Sequence, residues 1–172
     1  SIDPLQFTDS LPVAGGFSFL SWPATREQLL PVAGAAAAGV LDAARRGYEL
    51  VVVDVGRGAG PLHTVAWDCD RILLVVPAQL KAAVAAVRLL HELPPVEAGL
   101  LVRGRPGAAL DTSLIADAVG LPVQGRIPEL RAVAGAMESG RLLDLGKRRK
   151  IRRFGGNVLD WLGEDLQAGD MA

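Results

Sequence analysis

The sequence predicts an α/β fold, a doubly wound and mostly parallel sheet with helices on both faces. Three observations carry this expectation. Short β-branched and leucine-rich runs recur along the chain, as in Glu49-Leu-Val-Val-Val-Asp54 and Arg71-Ile-Leu-Leu-Val-Val76. Segments of helical length and pattern separate them, as βαβ units require. The runs are apolar throughout rather than alternating, which suits strands buried on both faces.

Taken in order, residues 1–16 are turn-rich and read as a linker or as the end of an earlier helix-loop unit. Phe17-Ser-Phe-Leu-Ser-Trp22 alternates apolar and small polar residues between Gly15-Gly16 and Pro23, a strand signal. An Ala/Leu-rich run from Leu29 ends in Arg45-Arg46-Gly47. Cations in the last turn followed by glycine mark a helix C-terminus. Glu49–Asp54 is then expected as a central parallel strand and 71–76 as a second. Leu80–Leu93 reads as a helix stopped by Pro94-Pro95, and Ala98–Val102 as a third strand. Asp111 is the expected N-cap of a helix ended by Gly120. Leu121–Ile127 makes a fourth strand, and a last domain helix runs from Glu129 to about Ser139-Gly140.

Composition agrees with this frame. Half of the 172 residues are apolar, 22% are charged and only 5% are aromatic. The core should therefore consist of small aliphatic side chains, far from the disordered class. A net charge of −1 gives no global field toward nucleic acid. The single cysteine, Cys69, excludes an internal disulfide and a cysteine-rich metal site. Apolar stretches fall far short of the ~20 residues of a membrane span. Ser1-Ile-Asp-Pro4 carries no signal-peptide pattern and no starting methionine. The chain is expected to be an excised C-terminal piece of a longer protein, with a domain over 1–145 and a basic helical tail over 146–172.

In doubly wound sheets, ligands bind at the carboxyl ends of the strands. The residues there are Asp54 to Gly60, Pro77 and Ala78, Arg103 to Gly107, and Pro128 to Leu130. Val51-Val-Val-Asp54 followed by Val-Gly-Arg-Gly-Ala-Gly60 is the sharpest signal. An aspartate closing a buried strand can hold a magnesium ion or its water, and Gly56, Gly58 and Gly60 can let a loop approach a γ-phosphate. The plainer alternative is that Asp54 caps the loop and the glycines only permit tight turns. His63 follows in the same loop and reads as solvent-facing rather than as a catalytic base. His91 has no acidic or cysteine partner at metal-ligand spacing and reads as structural.

Leu11-Pro-Val-Ala-Gly-Gly-Phe-Ser-Phe-Leu-Ser-Trp22, Val51-Val-Val-Asp54 and Cys69-Asp-Arg-Ile-Leu-Leu-Val-Val-Pro77 follow one another along the chain. Leu121-Pro-Val-Gln-Gly-Arg-Ile-Pro128 comes next, with a helix ending in Glu138-Ser-Gly140. In order and spacing these segments resemble the MinD/ParA superfamily of deviant P-loop ATPases, over about residues 11–145. The Leu-Ser-Trp22 segment and Ala43-Ala-Arg-Arg-Gly47 resemble the actinobacterial septum site-determining proteins, relatives of the CpaE and TadZ proteins. The resemblance implies a partial P-loop NTPase-like domain, with ATP or ADP and magnesium as cofactors of the intact protein. It further implies a cytoplasmic spatial regulator of septum placement, or of pilus or secretion apparatus positioning, working through protein partners and a homodimer. In that reading Asp54 serves magnesium, Gly56, Gly58 and Gly60 serve phosphate, and Pro128, Glu129 and Leu130 line the base.

Two departures weaken turnover. No lysine-bearing phosphate loop occurs, because Gly146-Lys147 is followed by arginine. Arg103 stands where the family places an asparagine that reads adenine, and a guanidinium has no acceptor. This chain alone is therefore expected neither to hydrolyse ATP nor to bind nucleotide tightly. The alternatives are an interaction module without turnover, and a small-ligand Rossmann-like enzyme. The latter is disfavoured by the lack of a Gly-x-Gly-x-x-Gly after an N-terminal strand.

The tail opens on Lys147, Arg148, Arg149, Lys150, Arg152 and Arg153, six cations in seven residues. Ile151, Phe154, Val158, Leu162 and Leu166 follow at helical spacing, an amphipathic stripe. Cations at a helix start oppose the macrodipole, so an acidic protein, anionic lipid or phosphate could offset the cost. The simpler expectation is that the stripe packs on the domain and leaves a solvated basic end. A membrane surface is a weak partner here, since Asp160, Glu164 and Asp165 follow, and nucleic acid is not expected.

Overall fold

The structure, a computed structural model, describes residues 2–21, 34–56, 65–104, 111–127 and 130–168. It divides into two compact units, Ser1–Cys69 and Asp70–Ala172.

The first unit begins with a helix and a loop, the second of the two readings of residues 1–16. Helix α1 spans Pro4–Ser10, with the Asp3 carboxylate accepting the Leu5 N–H at 3.0 Å. Asp before Pro is a strong N-cap and N1 pair, because the capped N–H and the preset proline φ both favour the first turn. A hairpin follows, β1 (Val13–Ala14) against β2 (Phe17–Ser18). Its turn residues Gly15 and Gly16 take φ of 62° and 88°, which glycine adopts without the steric cost of a Cβ. The strand expected over 17–22 is thus only two residues long within the described residues, and Trp22 lies outside them.

Helix α2 (Gly34–Gly47) buries Leu41, Ala43 and Ala44 and ends on Arg45 and Arg46, as expected. The early part of the expected helix, from Leu29, lies outside the described residues. Gly47 is where α1 meets α2, since a Cβ there would stand 2.6 Å from Thr8 Cγ2. Arg46 ties α2 to the segment before α1 by donating to the Ile2 carbonyl at 3.1 Å, and is held on its own helix by Asp42 Oδ2 at 2.7 Å. The expectation of a central strand over Glu49–Asp54 fails. These residues have no ladder partner among the described residues, and Val52 is 83% exposed. A β-branched run becomes a strand only where a neighbour supplies its hydrogen bonds and covers its faces.

The second unit holds a parallel sheet in the order β3-β4-β5, formed by Arg71–Pro77, Glu97–Arg103 and Val123–Ile127. Leu74 pairs with Leu100 and Val76 with Val102, and a bulge between Leu100 and Leu101 shifts the register onto β5. Helices cover both faces. On one face α3 (Leu80–Leu90) and α4 (Thr112–Val119) bury Ala83, Ala86, Ile115 and Val119 against Leu74, Val76, Leu100 and Val102. Helix α4 runs between the expected caps, with Asp111 accepting the Thr112 N–H and Gly120 at φ 75°. The expected last domain helix is shorter, α5 (Val133–Glu138), because the chain passes through a turn at 131–132 first. A one-turn helix α6 (Leu142–Gly146) leads into α7 (Arg149–Ala168).

Helix α7 lies on the opposite face of the sheet. Two glycines make room for it. A Cβ on Gly125 would meet the Phe154 ring at 3.1 Å, and one on Gly99 would meet Trp161 at 3.3 Å. Trp161 is buried, while Ile151, Phe154, Val158 and Leu162 are partly covered. The apolar stripe read from the sequence therefore packs on the domain.

Candidate functional site

The carboxyl ends of the three strands form one row, because Pro77, Arg103 and Ile127 are in register. The chain leaves β3 at this edge under control of the neighbouring strand, with the Ala78 N–H donating to the Arg103 carbonyl at 2.8 Å. The Arg103 side chain is exposed. Past β5, Leu130 is half-buried and its carbonyl accepts the Val133 N–H at 3.2 Å, starting α5. Pro128 and Glu129 lie outside the described residues. So do Gly58, Gly60 and His63.

Asp54 belongs to the first unit. It is exposed, and its Oδ1 accepts the Gly56 N–H at 2.9 Å. This is an aspartate turn, in which the side chain closes a loop over its own backbone. Gly56 has φ 67°, a left-handed conformation that a Cβ would strain. Such a turn leaves an anionic oxygen ligand at the start of the loop, the ligand type that magnesium selects. His91 is the C-cap of α3, its Nδ1 2.7 Å from the Val87 carbonyl on its own helix. Among the described residues no three acidic, histidine or cysteine side chains gather as a metal site.

The basic segment is placed at the junction of α6 and α7. Lys147 Nζ bonds Asp144 Oδ1 at 3.2 Å, and Arg141 Nε reaches Asp144 Oδ2 at 3.1 Å. These two bonds, Arg141 first, hold the Asp144 carboxyl below its ordinary value of 3.8. Arg148, Arg149, Lys150, Arg152 and Arg153 are all exposed, and none forms an ion pair among the described residues. Sequence reading missed one cluster, Arg71, Glu97 and Trp161, which gathers at the opposite ends of β3 and β4. Its members are 64 and 90 positions apart, so no local spacing could have joined them.

No protein-family model matches this sequence, and no curated protein matches it. Among solved structures, it is similar to the crystal structure of a ParA family ATPase from Chlorobium tepidum TLS, with a TM-score of 0.76. The likeness covers 93% of this chain and 70% of that one, at 18% identity. The chain has a ParA-like fold. At that identity the likeness establishes architecture, and the parallel sheet clothed by helices on both faces is its local expression. No helix among the described residues is long and apolar enough to cross a membrane.

Proposed function

We propose that this chain is part of a cytoplasmic MinD/ParA-type spatial regulator, acting in septum placement or in positioning a pilus or secretion apparatus. The observation that carries the reading is the ParA-like fold over 93% of the chain. The regulator would associate with its protein partners, and with a second copy of itself, according to the nucleotide it holds. ATP or ADP with magnesium is the proposed cofactor. Asp54 supplies the carboxylate for magnesium or its water, Gly56, Gly58 and Gly60 the phosphate-facing loop, and Pro128, Glu129 and Leu130 the wall beside the base. Magnesium would neutralise phosphate charge there. The exposed Asp54 carboxylate fits that use, because a single carboxylate beside substrate phosphates is a common magnesium environment.

Arg103 favours a second reading, an interaction module that has given up turnover. It stands exposed at the end of β4, where a guanidinium cannot accept from the adenine amino group. The two readings separate on magnesium-dependent ATP binding and turnover by the full-length protein, with Asp54→Ala beside it. The regulator reading expects magnesium-dependent binding that Asp54→Ala weakens about ten-fold, the scale of a charge-assisted contact. Equal binding in wild type and variant would remove Asp54 from the site. Partner association without any nucleotide binding would leave the interaction module.

A further inference from the structure

We propose that the α6–α7 junction is a docking site for an acidic, leucine-bearing segment of a partner protein. The proposal stands on the surface chemistry of the second unit and does not depend on nucleotide binding.

Two properties occur close together along the chain at this junction. The first is charge: Arg148, Arg149, Lys150, Arg152 and Arg153 are exposed and without ion pairs among the described residues. Arg149, Arg152 and Arg153 are spaced i, i+3 and i+4 on α7 and so share one helix face. They also sit at the positive end of the helix dipole, with no acidic residue in its first turn. An anionic partner relieves both repulsions. The second property is apolar. Met137, Leu142 and Leu143, on the elements that lead into α7, are 64%, 47% and 45% exposed. A continuous run of turn hydrogen bonds joins these elements, Arg141 N–H to the Ala136 carbonyl and Arg148 N–H to that of Leu145.

The occupant follows from what the surface cannot serve. A lipid bilayer would need the apolar stripe of α7, but Phe154 lies on Gly125 and Trp161 is 7% exposed. The outside of a DNA duplex is phosphate and sugar, with no leucine-sized aliphatic side chains to cover Leu142, Leu143 and Met137. The helical cations from Arg149 to Arg153 also span only about 6 Å of helix, at 1.5 Å per residue. Exposed Asp160 follows them on the same helix and opposes an anion that extends along it. A short segment with carboxylates for the arginines and leucines for the exposed apolar residues fits both halves.

The test uses the full-length protein and a labelled amphipathic peptide carrying glutamates at i, i+3 and i+4 with leucines on the adjoining face. Anisotropy should show saturable binding at low salt. Reversal of the face by Arg149→Glu, Arg152→Glu and Arg153→Glu should weaken it at least about ten-fold. Leu142→Ser with Leu143→Ser should weaken it about three-fold or more, through lost apolar contact. Circular dichroism confirms folding, and Arg152→Gln alone carries the charge arm if the triple variant unfolds. A fluorescent DNA duplex and phosphatidylglycerol vesicles are measured alongside. Tighter binding to either than to the peptide, or peptide affinity indifferent to the serine pair, overturns the proposal.

Discussion

The guanidinium of Arg71 lies 4.8 Å from the centre of the Trp161 ring, and Glu97 joins them. Arg71 Nε meets Glu97 Oε2 at 3.1 Å, and Trp161 Nε1 donates to Glu97 Oε1 at 3.1 Å. Arg71 also donates to the Trp161 carbonyl. First strand of the sheet, second strand and C-terminal helix thus meet in one knot. Glu97 is half exposed, so the ion pair contributes little by itself. The buried indole is the larger contribution. Trp161→Ala should cost about 3–5 kcal/mol in urea unfolding. Trp161→Phe keeps a ring under Arg71 and loses the bond to Glu97, and should cost less, about 1–2 kcal/mol. Equal costs for the two variants would show that ring packing is not what holds α7.

The seat of α7 gives a second prediction. Gly99 and Gly125 lie in strands, where glycine is otherwise unfavourable. Their use is proximity. A Cβ on Gly99 would come within 2.6 Å of Gln124 Cγ and 3.3 Å of Leu73 and Trp161, and one on Gly125 within 3.2 Å of two Phe154 ring atoms. Gly99→Ala should therefore destabilise by about 1–3 kcal/mol, the usual cost of overpacking. Gly125→Ala should cost less, since the ring can yield by a few tenths of an ångström. Thermal melts of the two variants check the order.

A third prediction concerns acid. Asp144 is held below its ordinary value by Arg141 and Lys147, so it is a carboxylate whose folded form binds its proton less readily than the unfolded form. Its contribution is present above pH 3.8, the ordinary value, and is lost as pH falls through the lower folded value. Asp144→Asn should therefore be slightly less stable than wild type at neutral pH, and the two should converge below pH 3.8. The group is exposed, so the difference should also shrink with salt. Paired urea titrations across that range measure it.

These elements show what the sequence could reveal. Strands β3 and β4 were legible from the apolar runs at their centres, Ile72 to Val76 and Leu100 to Val102, whereas β5, with Gln124 and Arg126 in it, was legible from its bounds at Gly120 and Pro128. Helix α4 was legible at both ends, since Asp111 and Gly120 declare its caps locally. The stripe of α7 gave its packed face. What failed depended on neighbours. Glu49–Asp54 has strand composition but lacks a pairing partner among the described residues. Helix α1 was not bounded although Asp3-Pro4 marks its start, because a seven-residue helix shows too little periodicity to register. Of the strand-end residues, register gathers Pro77, Arg103 and Ile127. Arg71, Glu97 and Trp161 came together only through the sheet.

The last prediction separates two uses of Asp54. As a turn residue it needs only an acceptor for the Gly56 N–H, now at 2.9 Å. As a magnesium ligand it needs its charge. Asp54→Asn keeps an amide oxygen for the turn and removes the charge, whereas Asp54→Ala removes both. The turn is exposed, so Asp54→Ala should cost no more than about 1 kcal/mol of stability, and Asp54→Asn almost none. On the proposed role, magnesium-dependent nucleotide binding should fall alike in both variants. Binding that survives in Asp54→Asn and falls only in Asp54→Ala would mean that the loop conformation, and not the carboxylate, serves the ligand. In that case the left-handed Gly56, at φ 67°, becomes the residue to change next, since alanine there would spoil the turn while sparing every charge.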